Sequence, residues 1–466
     1  MKNMSAADKY TYLRKEFQAF CFEGFEVTQD ANEIKIKFEF YLDDVYVFQP
    51  EMTLHLNDKA VKLSKPQLDE LVFHIGMVEL ISYWKAACPE KVVIKPFYLN
   101  KEQIQFWKKL YFHGLGEFFY TNNIQTNMDQ FMNIESVSEN YFEKQGYHTT
   151  NHFIVPVGGG KDSVLSLELI NEFYNYKKDV IPFIMNPRNA SLKTAQVAGF
   201  NEDDLVTIDR TIDPKLLKLN DEGFLNGHTP FSALLAFTSL LVSAVTAHRY
   251  IALSNESSAS ESSIPGTQIN HQYSKSLEFE NDFRKYVKNY ISEEFEYFSF
   301  LRPLTEFQIA RIFSDLDQYF DVFKSCNVGS KEDKWCGKCP KCLFTYIILS
   351  PFVSPERLQN ILGHNLLDDP EHIQNFMELT GQSHQKPFEC VGTVDEVNIA
   401  LALTAKQQDN QKKLPLLLQK FVQTPMYKKY KGSNEPDWVL GEGLGENNLP
   451  EELLNMLRHY LVKLYC

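Results

Sequence analysis

Phe153-Ile154-Val155-Pro156-Val157-Gly158-Gly159-Gly160-Lys161-Asp162-Ser163 is the stretch whose reading decides the fold. Phe153 to Val157 is a short apolar run of the kind that forms a buried strand, and the residues from Val164 to Ile170 carry the apolar density of a helix. Between them, three glycines let the backbone turn sharply and bring its N–H groups close to an anion. The helix N-terminus behind the turn adds a favourable dipole for phosphate. Lys161 offers a point charge and Ser163 a hydroxyl in the first turn. The order strand, glycine turn, helix predicts a pyrophosphate cradle.

Outward from this point, Val180–Met185, Leu205–Ile208 and Tyr250–Ser254 read as further strands, the last preceded by a long apolar helix from Ser232 to Ala247. That alternation predicts an α/β fold with a parallel sheet covered on both faces and ligands beyond the carboxyl ends of its strands. Toward the N-terminus, residues 25–56 alternate as strands do. Ile34, Ile36, Phe38 and Phe40 are apolar with Lys35, Lys37 and Glu39 between them, and Asp30-Ala31-Asn32 is placed for a hairpin tip. Pro66 to Ala87 reads as a helix with Leu68, Leu71, Val72, Ile75, Val78 and Ile81 on one face. Three regions are expected: an α+β domain over 1–148, the glycine-loop domain over 149–345, and a mainly helical region over 346–466 that ends in a helix at Pro450–Tyr465. Gly441-Glu442-Gly443-Leu444-Gly445 reads as a flexible linker.

The glycine loop is not a Walker loop, which needs glycine where Val155 stands and Ser or Thr where Asp162 stands. A dinucleotide fingerprint would put its last glycine on Ser163. The loop resembles that of the ATP pyrophosphatases (PP-loop enzymes), Ser-Gly-Gly-x-Asp-Ser, with Gly158 replacing the first serine and one hydroxyl contact thereby absent. The resemblance implies a PP-loop core that binds ATP through Gly158, Gly159, Gly160, Lys161, Asp162 and Ser163, while a substrate oxygen attacks the α-phosphorus.

Lys and Arg number 47 against 61 Asp and Glu, a net charge of −14, which argues against nucleic-acid binding through a basic surface. No apolar stretch reaches the ~20 residues needed to span a bilayer. Met1 to Asp8 lacks a signal-peptide apolar region, so a cytoplasmic protein without disulfides is expected.

Four of the eight cysteines, Cys326, Cys336, Cys339 and Cys342, follow the spacing C-x9-C-x2-C-x2-C. Four thiolates complete the tetrahedral shell of a structural zinc site, and Lys334, Lys338 and Lys341 offset their charge. An iron–sulfur cluster is the rival occupant. Cys21, Cys88 and Cys466 are singletons that read as small buried hydrophobes. Ser325-Cys326-Asn327 with Cys336-Gly337-x-Cys339-x-x-Cys342 resembles the zinc module of 7-cyano-7-deazaguanine synthases, which implies a small carboxylic acid as the group to be adenylated.

Further segments carry a closer resemblance. They are Ser82-Tyr83-Trp84-Lys85-Ala86-Ala87-Cys88-Pro89, Leu225-Asn226-Gly227-His228-Thr229-Pro230, Ser254 to Glu261, Asn270 to Glu280, Leu301-Arg302-Pro303-Leu304 and Lys386 to Gly392. In this order, with the glycine loop and the cysteine cluster, they resemble the UDP-N-acetylmuramoyl-L-alanyl-L-glutamate epimerase (MurL) family over residues 20–400. The resemblance implies conversion of the terminal L-glutamate of a UDP-linked muramoyl dipeptide to D-glutamate with ATP and Mg²⁺, for peptidoglycan. Adenylation would turn the carboxylate into a mixed anhydride whose α-proton can be removed, with AMP and pyrophosphate as by-products.

Asp162 and Glu256 are then candidates for Mg²⁺, with Asp162 also counted as catalytic. Asn255, Glu256, His271, Lys275 and Arg302 are candidates for the substrate. Inversion needs an acid and a base, and Cys390 and His228 are the candidates. An ATP-dependent synthase that adenylates a small acid and forms an amide or nitrile is the alternative. An acidic chain makes sulfur transfer to transfer RNA the weaker option, and a non-catalytic nucleotide sensor would bind ATP without producing AMP.

Overall fold

A computed structural model describes residues 4–464 apart from 58, 175, 265, 268, 409–412 and 436–443. Met1–Asn3, Gly441–Gly443 of the expected linker and Cys466 lie outside these residues. Among the described residues, eleven strands form one sheet. In chain order they are β1 (Ala19–Gln29), β2 (Glu33–Leu42), β3 (Tyr46–Phe48), β4 (Glu51–His55), β5 (Lys91–Ile94), β6 (Asn133–Ser136), β7 (Thr150–Pro156), β8 (Val180–Met185), β9 (Val206–Thr211), β10 (His248–Leu253) and β11 (Glu296–Ser299). Across the sheet they run β11-β10-β7-β8-β9-β4-β2-β1-β5-β6, with β3 beside β2.

The fold is α/β. β11, β10, β7, β8 and β9 are mutually parallel, as the alternation of strands and helices predicts. Taken in chain order this half reads 3-2-1-4-5, so the winding reverses between β7 and β10. A crevice opens at such a reversal beyond the strand ends. β7 ends in the glycine loop and β10 ends at Ser254-Asn255-Glu256, so the topology brings both segments to one place.

β1 and β2 pair through the Asp30–Asn32 hairpin, from Gln29↔Ile34 to Phe20↔Leu42, and Ile34, Ile36, Phe38 and Phe40 are all buried as their alternation requires. The expected boundary at 148 has no counterpart in the strand pairing. β4 joins β9 antiparallel, Leu54 facing Ile208, so the N-terminal strands extend the same sheet. Alternation identifies strands in the sequence but not their partners, because pairing depends on chain ends far away.

The helix Lys65–Trp84 also departs from expectation. Leu68, Leu71, Val72, Ile75, Val78 and Ile81 are buried, but so are Phe73, His74, Met77, Leu80, Glu70 and Glu79. It is a central helix packed against Phe231–Thr246 within one core, not an amphipathic covering. A second core lies on the other face of the sheet: Ile154 belongs to the first core and Phe153 and Val155 to the second. This second core joins the loop helix Lys161–Phe173 to Glu306–Phe313, Pro340–Leu349 and Val394–Gln407, the mainly helical region expected beyond residue 345.

Candidate active site

The glycine loop takes the form its residues impose. Gly159 has φ +83°, and a Cβ there would lie 2.7 Å from Ser191 N. A Cβ at Gly160 would meet Ser325 Oγ at 2.9 Å, whereas one at Gly158 would meet nothing within 4 Å. The helix Lys161–Phe173 starts without a side-chain cap at Gly160. Its first-turn N–H groups are therefore those an anion can use. Ser163 Oγ accepts from Gly159 N at 3.1 Å and donates to Gly160 O at 3.0 Å, bracing the turn. This donor set fits a polyphosphate.

Lys161 does not point out as a free charge. It is buried and paired with Asp162 and with Glu306, which starts the helix Glu306–Phe313. Burial alone would favour neutral Lys161, but the two carboxylates hold it charged. Asp162, Glu256 and Glu306 present oxygens within 4.8 Å of one another. That is a hard-oxygen donor set suited to Mg²⁺. Asp162 and Glu256 were visible in the sequence. Glu306 was missed, because at its position it reads as an acid in the first turn behind a Thr305–Gln308 capping box.

A second cluster adjoins this one. His271 Nδ1 lies 2.5 Å from Glu117 Oε2, and His228 Nδ1 is 3.5 Å from the same oxygen. The two imidazoles stand 4.6 Å apart between centroids. Cys390 Sγ accepts from Lys275 Nζ at 3.1 Å, and the His271 ring acts on it. Burial pushes the Cys390 thiol up, but Lys275, Lys341 and His271 pull it down to about 6. His271 is lowered by burial yet raised overall to about 9 by Cys390 and Glu117. Burial and the neighbouring His271 push His228 down to about 4, so it is neutral. Lys275 links the clusters, since Glu256 and Asp162 also act on its charge. Glu117 sits in the short helix Gly116–Thr121 with no motif around it and was not legible in the sequence.

Arg302 and Asn255 are supports rather than open contacts. Arg302 donates to Glu256 O at 2.6 Å, to the Lys275 carbonyl and to Glu280 Oε2 at 3.4 Å, tying the Glu256 and Lys275 segments together from beneath. Asn255 donates to Ser299 Oγ at 3.0 Å. Lys85 donates to Gly227 O at 2.5 Å and fixes the segment that carries His228.

The four cysteines converge as their spacing predicts. The sulfurs of Cys326 and Cys339 are 4.0 Å apart, of Cys336 and Cys342 3.7 Å, and of Cys339 and Cys342 3.5 Å. A tetrahedral ion about 2.3 Å from each sulfur sets them about 3.8 Å apart. Separate irons of a cluster would hold them farther apart. Gly329 N donates to Cys326 Sγ at 3.1 Å, and Cys339 N to Cys336 Sγ at 3.4 Å, as suits thiolates. The module touches the rest of the site where Ser325 abuts Gly160, where Lys324 N donates to Gly159 O at 2.8 Å, and where Asn327 Nδ2 donates to Glu389 Oε2 at 2.6 Å.

Models of the MurL N-terminal domain and the MurL C-terminal domain match residues 11–300 and 322–433. The chain belongs to the MurL family. A relative from Salinispora tropica is 36% identical over 358 residues, 74% of this chain and 76% of its own length. One from Xanthomonas oryzae pv. oryzae is 34% identical over 72% of this chain and 74% of its own length, and one from a Micromonospora species is 34% identical over 74% and 78%. All three carry the name UDP-N-acetyl-alpha-D-muramoyl-L-alanyl-L-glutamate epimerase. No solved structure matches the chain. The two MurL models meet between residues 300 and 322, just ahead of the four cysteines, so the glycine loop and Cys390 fall in different halves of the family's own division.

Proposed function

We propose that this MurL-family protein epimerises the terminal L-glutamate of UDP-N-acetylmuramoyl-L-alanyl-L-glutamate to D-glutamate, with consumption of ATP, as a cytoplasmic step toward peptidoglycan. The observation that carries the reading is the meeting, at one reversal of the sheet, of an uncapped glycine turn, three carboxylates and a thiol–imidazole cluster. The first suits a polyphosphate, the second Mg²⁺, and the third proton transfer at carbon. The name shared by the relatives supplies the substrate.

An α-proton beside a free carboxylate is hard to remove, because the carbanion would place a second negative charge on the same group. Attack of a substrate carboxylate oxygen on the α-phosphorus of ATP gives an acyl adenylate and pyrophosphate, and the acyl group then tolerates an enolate. Gly158, Gly159, Gly160 and Ser163 line the phosphate side, and Asp162, Glu256 and Glu306 would hold Mg²⁺, which screens phosphate charge when bound. Cys390 and His228 are the proton-transfer candidates, with His271 and Lys275 between thiol and carboxylates. Zinc is the ion proposed for the four cysteines, in a structural role.

Purified protein incubated with the UDP-muramoyl dipeptide, ATP and Mg²⁺ is expected to yield D-glutamate on hydrolysis and chiral chromatography, with AMP and pyrophosphate in step. AMP without D-glutamate would leave adenylation standing and move the product elsewhere, with ammonia the next component to add. Neither product would remove the epimerase reading for this substrate.

A further inference from the structure

Cys390 is surrounded as an activated nucleophile is. Its sulfur accepts from Lys275 Nζ at 3.1 Å, and the His271 ring lies close enough to act on it. With Nδ1 of that ring committed to Glu117 at 2.5 Å, Nε2 is the nitrogen left for the sulfur. Sulfur, imidazole and carboxylate thus stand in the order in which a carboxylate orients a histidine and the histidine activates a thiol. The three residues come from distant parts of the chain. The electrophile this site would generate is the acyl adenylate, and the Lys275 ammonium that donates to the sulfur also feels the charges of Glu256 and Asp162.

We propose that Cys390 is a covalent catalyst, taking the glutamyl acyl group from the adenylate as a thioester, and that the α-carbon is inverted while the acyl group is on sulfur. The inference rests on the adenylation reading above and replaces the proton-transfer role of Cys390 with a covalent one. The Sγ lone pair attacks the carbonyl carbon, a C–S bond forms, the C–O bond to the phosphate breaks, and its electron pair leaves with AMP. Sulfur donates weakly into the carbonyl, so the thioester's α-proton is more acidic than that of an oxygen ester or a carboxylate. Acylation also frees His271 from the thiolate, leaving it and neutral His228 as the proton carriers beside the acyl group. After the proton returns, water adds to the carbonyl, the C–S bond breaks with its electrons on sulfur, and the Cys390 thiolate is restored. The net reaction is substrate, ATP and water to epimer, AMP and pyrophosphate, with no redox change.

The test uses the full-length, metal-loaded protein with ATP, Mg²⁺ and UDP-muramoyl dipeptide carrying ¹⁴C in the glutamate, quenched in acid during turnover. Label is expected on the denatured protein, removable by hydroxylamine and mapped to the peptide containing Cys390, with the mass of the substrate less one water. Cys390→Ala is expected to keep ATP–pyrophosphate exchange within about threefold of wild type, while losing the protein-bound label and at least a thousandfold in D-glutamate formation. D-glutamate accumulating from wild type with less than one per cent of the protein labelled at every quench time overturns the inference, as does a Cys390→Ala protein that epimerises within tenfold of wild type. Absence of pyrophosphate exchange in both proteins is a separate result, which removes the adenylation reading and the thioester with it.

Discussion

At the scale of single residues, Gly158 and Gly159 make opposite predictions although they are neighbours. A methyl group at Gly159 would sit 2.7 Å from Ser191 N on a left-handed backbone, so Gly159→Ala is expected to abolish AMP release. Gly158 has open space where a side chain would go, and Gly158→Ser, which restores the serine of the PP-loop pattern, is expected to fold normally and bind ATP at least as tightly, as measured by calorimetric titration. For Cys390, a thiol held at about 6 is a thiolate above that pH. Alkylation by iodoacetamide should therefore be flat from pH 8 to about 7, be half-maximal near 6, and fall about tenfold per unit below it. His271→Asn removes one of the groups that lower the thiol and should move the midpoint upward; an unmoved midpoint would show that the imidazole does not act on the sulfur. Residues inside a local signature (Asp162, Ser163, the four cysteines) could be read directly, and His228, His271, Lys275 and Cys390 were reachable through family-like segments. Glu117 and Glu306 were not, because an acid acquires a role in such a site only from what folds against it.

Two elements carry consequences of their own. On the helix Lys65–Trp84, Glu70 is buried, with Oε1 lacking a partner and Oε2 3.3 Å from Tyr147 Oη; burial pushes its carboxyl up to about 8. Between its ordinary value and about 8 the folded protein binds a proton that the unfolded chain releases, so stability falls as pH rises through that window. Glu70→Gln keeps the shape without the charge. It is expected to flatten the dependence of Tm on pH and to raise stability at pH 8 by about 1–3 kcal/mol. The four-cysteine module grips the glycine turn through Lys324 N and Gly159 O, and Ser325 abuts Gly160. If the proposed zinc occupies it, treatment with a chelator, like Cys326→Ser, should therefore weaken ATP binding about 10- to 100-fold as well as lower Tm. Unchanged ATP affinity in the stripped protein would mean the turn holds its shape unaided. Of the bounds read from apolar patterning, Val180–Met185 holds without change and Ser232–Ala247 shifts by one residue, whereas β5, β6 and β11 are too short to declare themselves.

At the scale of the molecule, the shared sheet replaces the expected division at 148. Removing residues 1–148 would strip β4 from β9 and bare the helix Phe231–Thr246, which is buried along nearly its whole length. The truncated protein is expected to be insoluble or aggregated on gel filtration, and full-length protein should unfold without a separate transition for its first 148 residues. A monomeric, ATP-binding fragment would restore the two-domain picture. The fold class was legible because alternation of strands and helices is local. The join was not, since nothing near Leu54 announces Ile208. The same dispersion has a bearing on biosynthesis. The glycine turn is translated well before its own braces, since Ser191 and Lys324 follow it in the chain, so the turn is expected to take its final shape only once synthesis has passed residue 324. A product cut short ahead of residue 390 would lack the helix Val394–Gln407 as well, whose Glu396 accepts from Glu306 N, so the thiol and the support of the carboxylates are expected to be lost together.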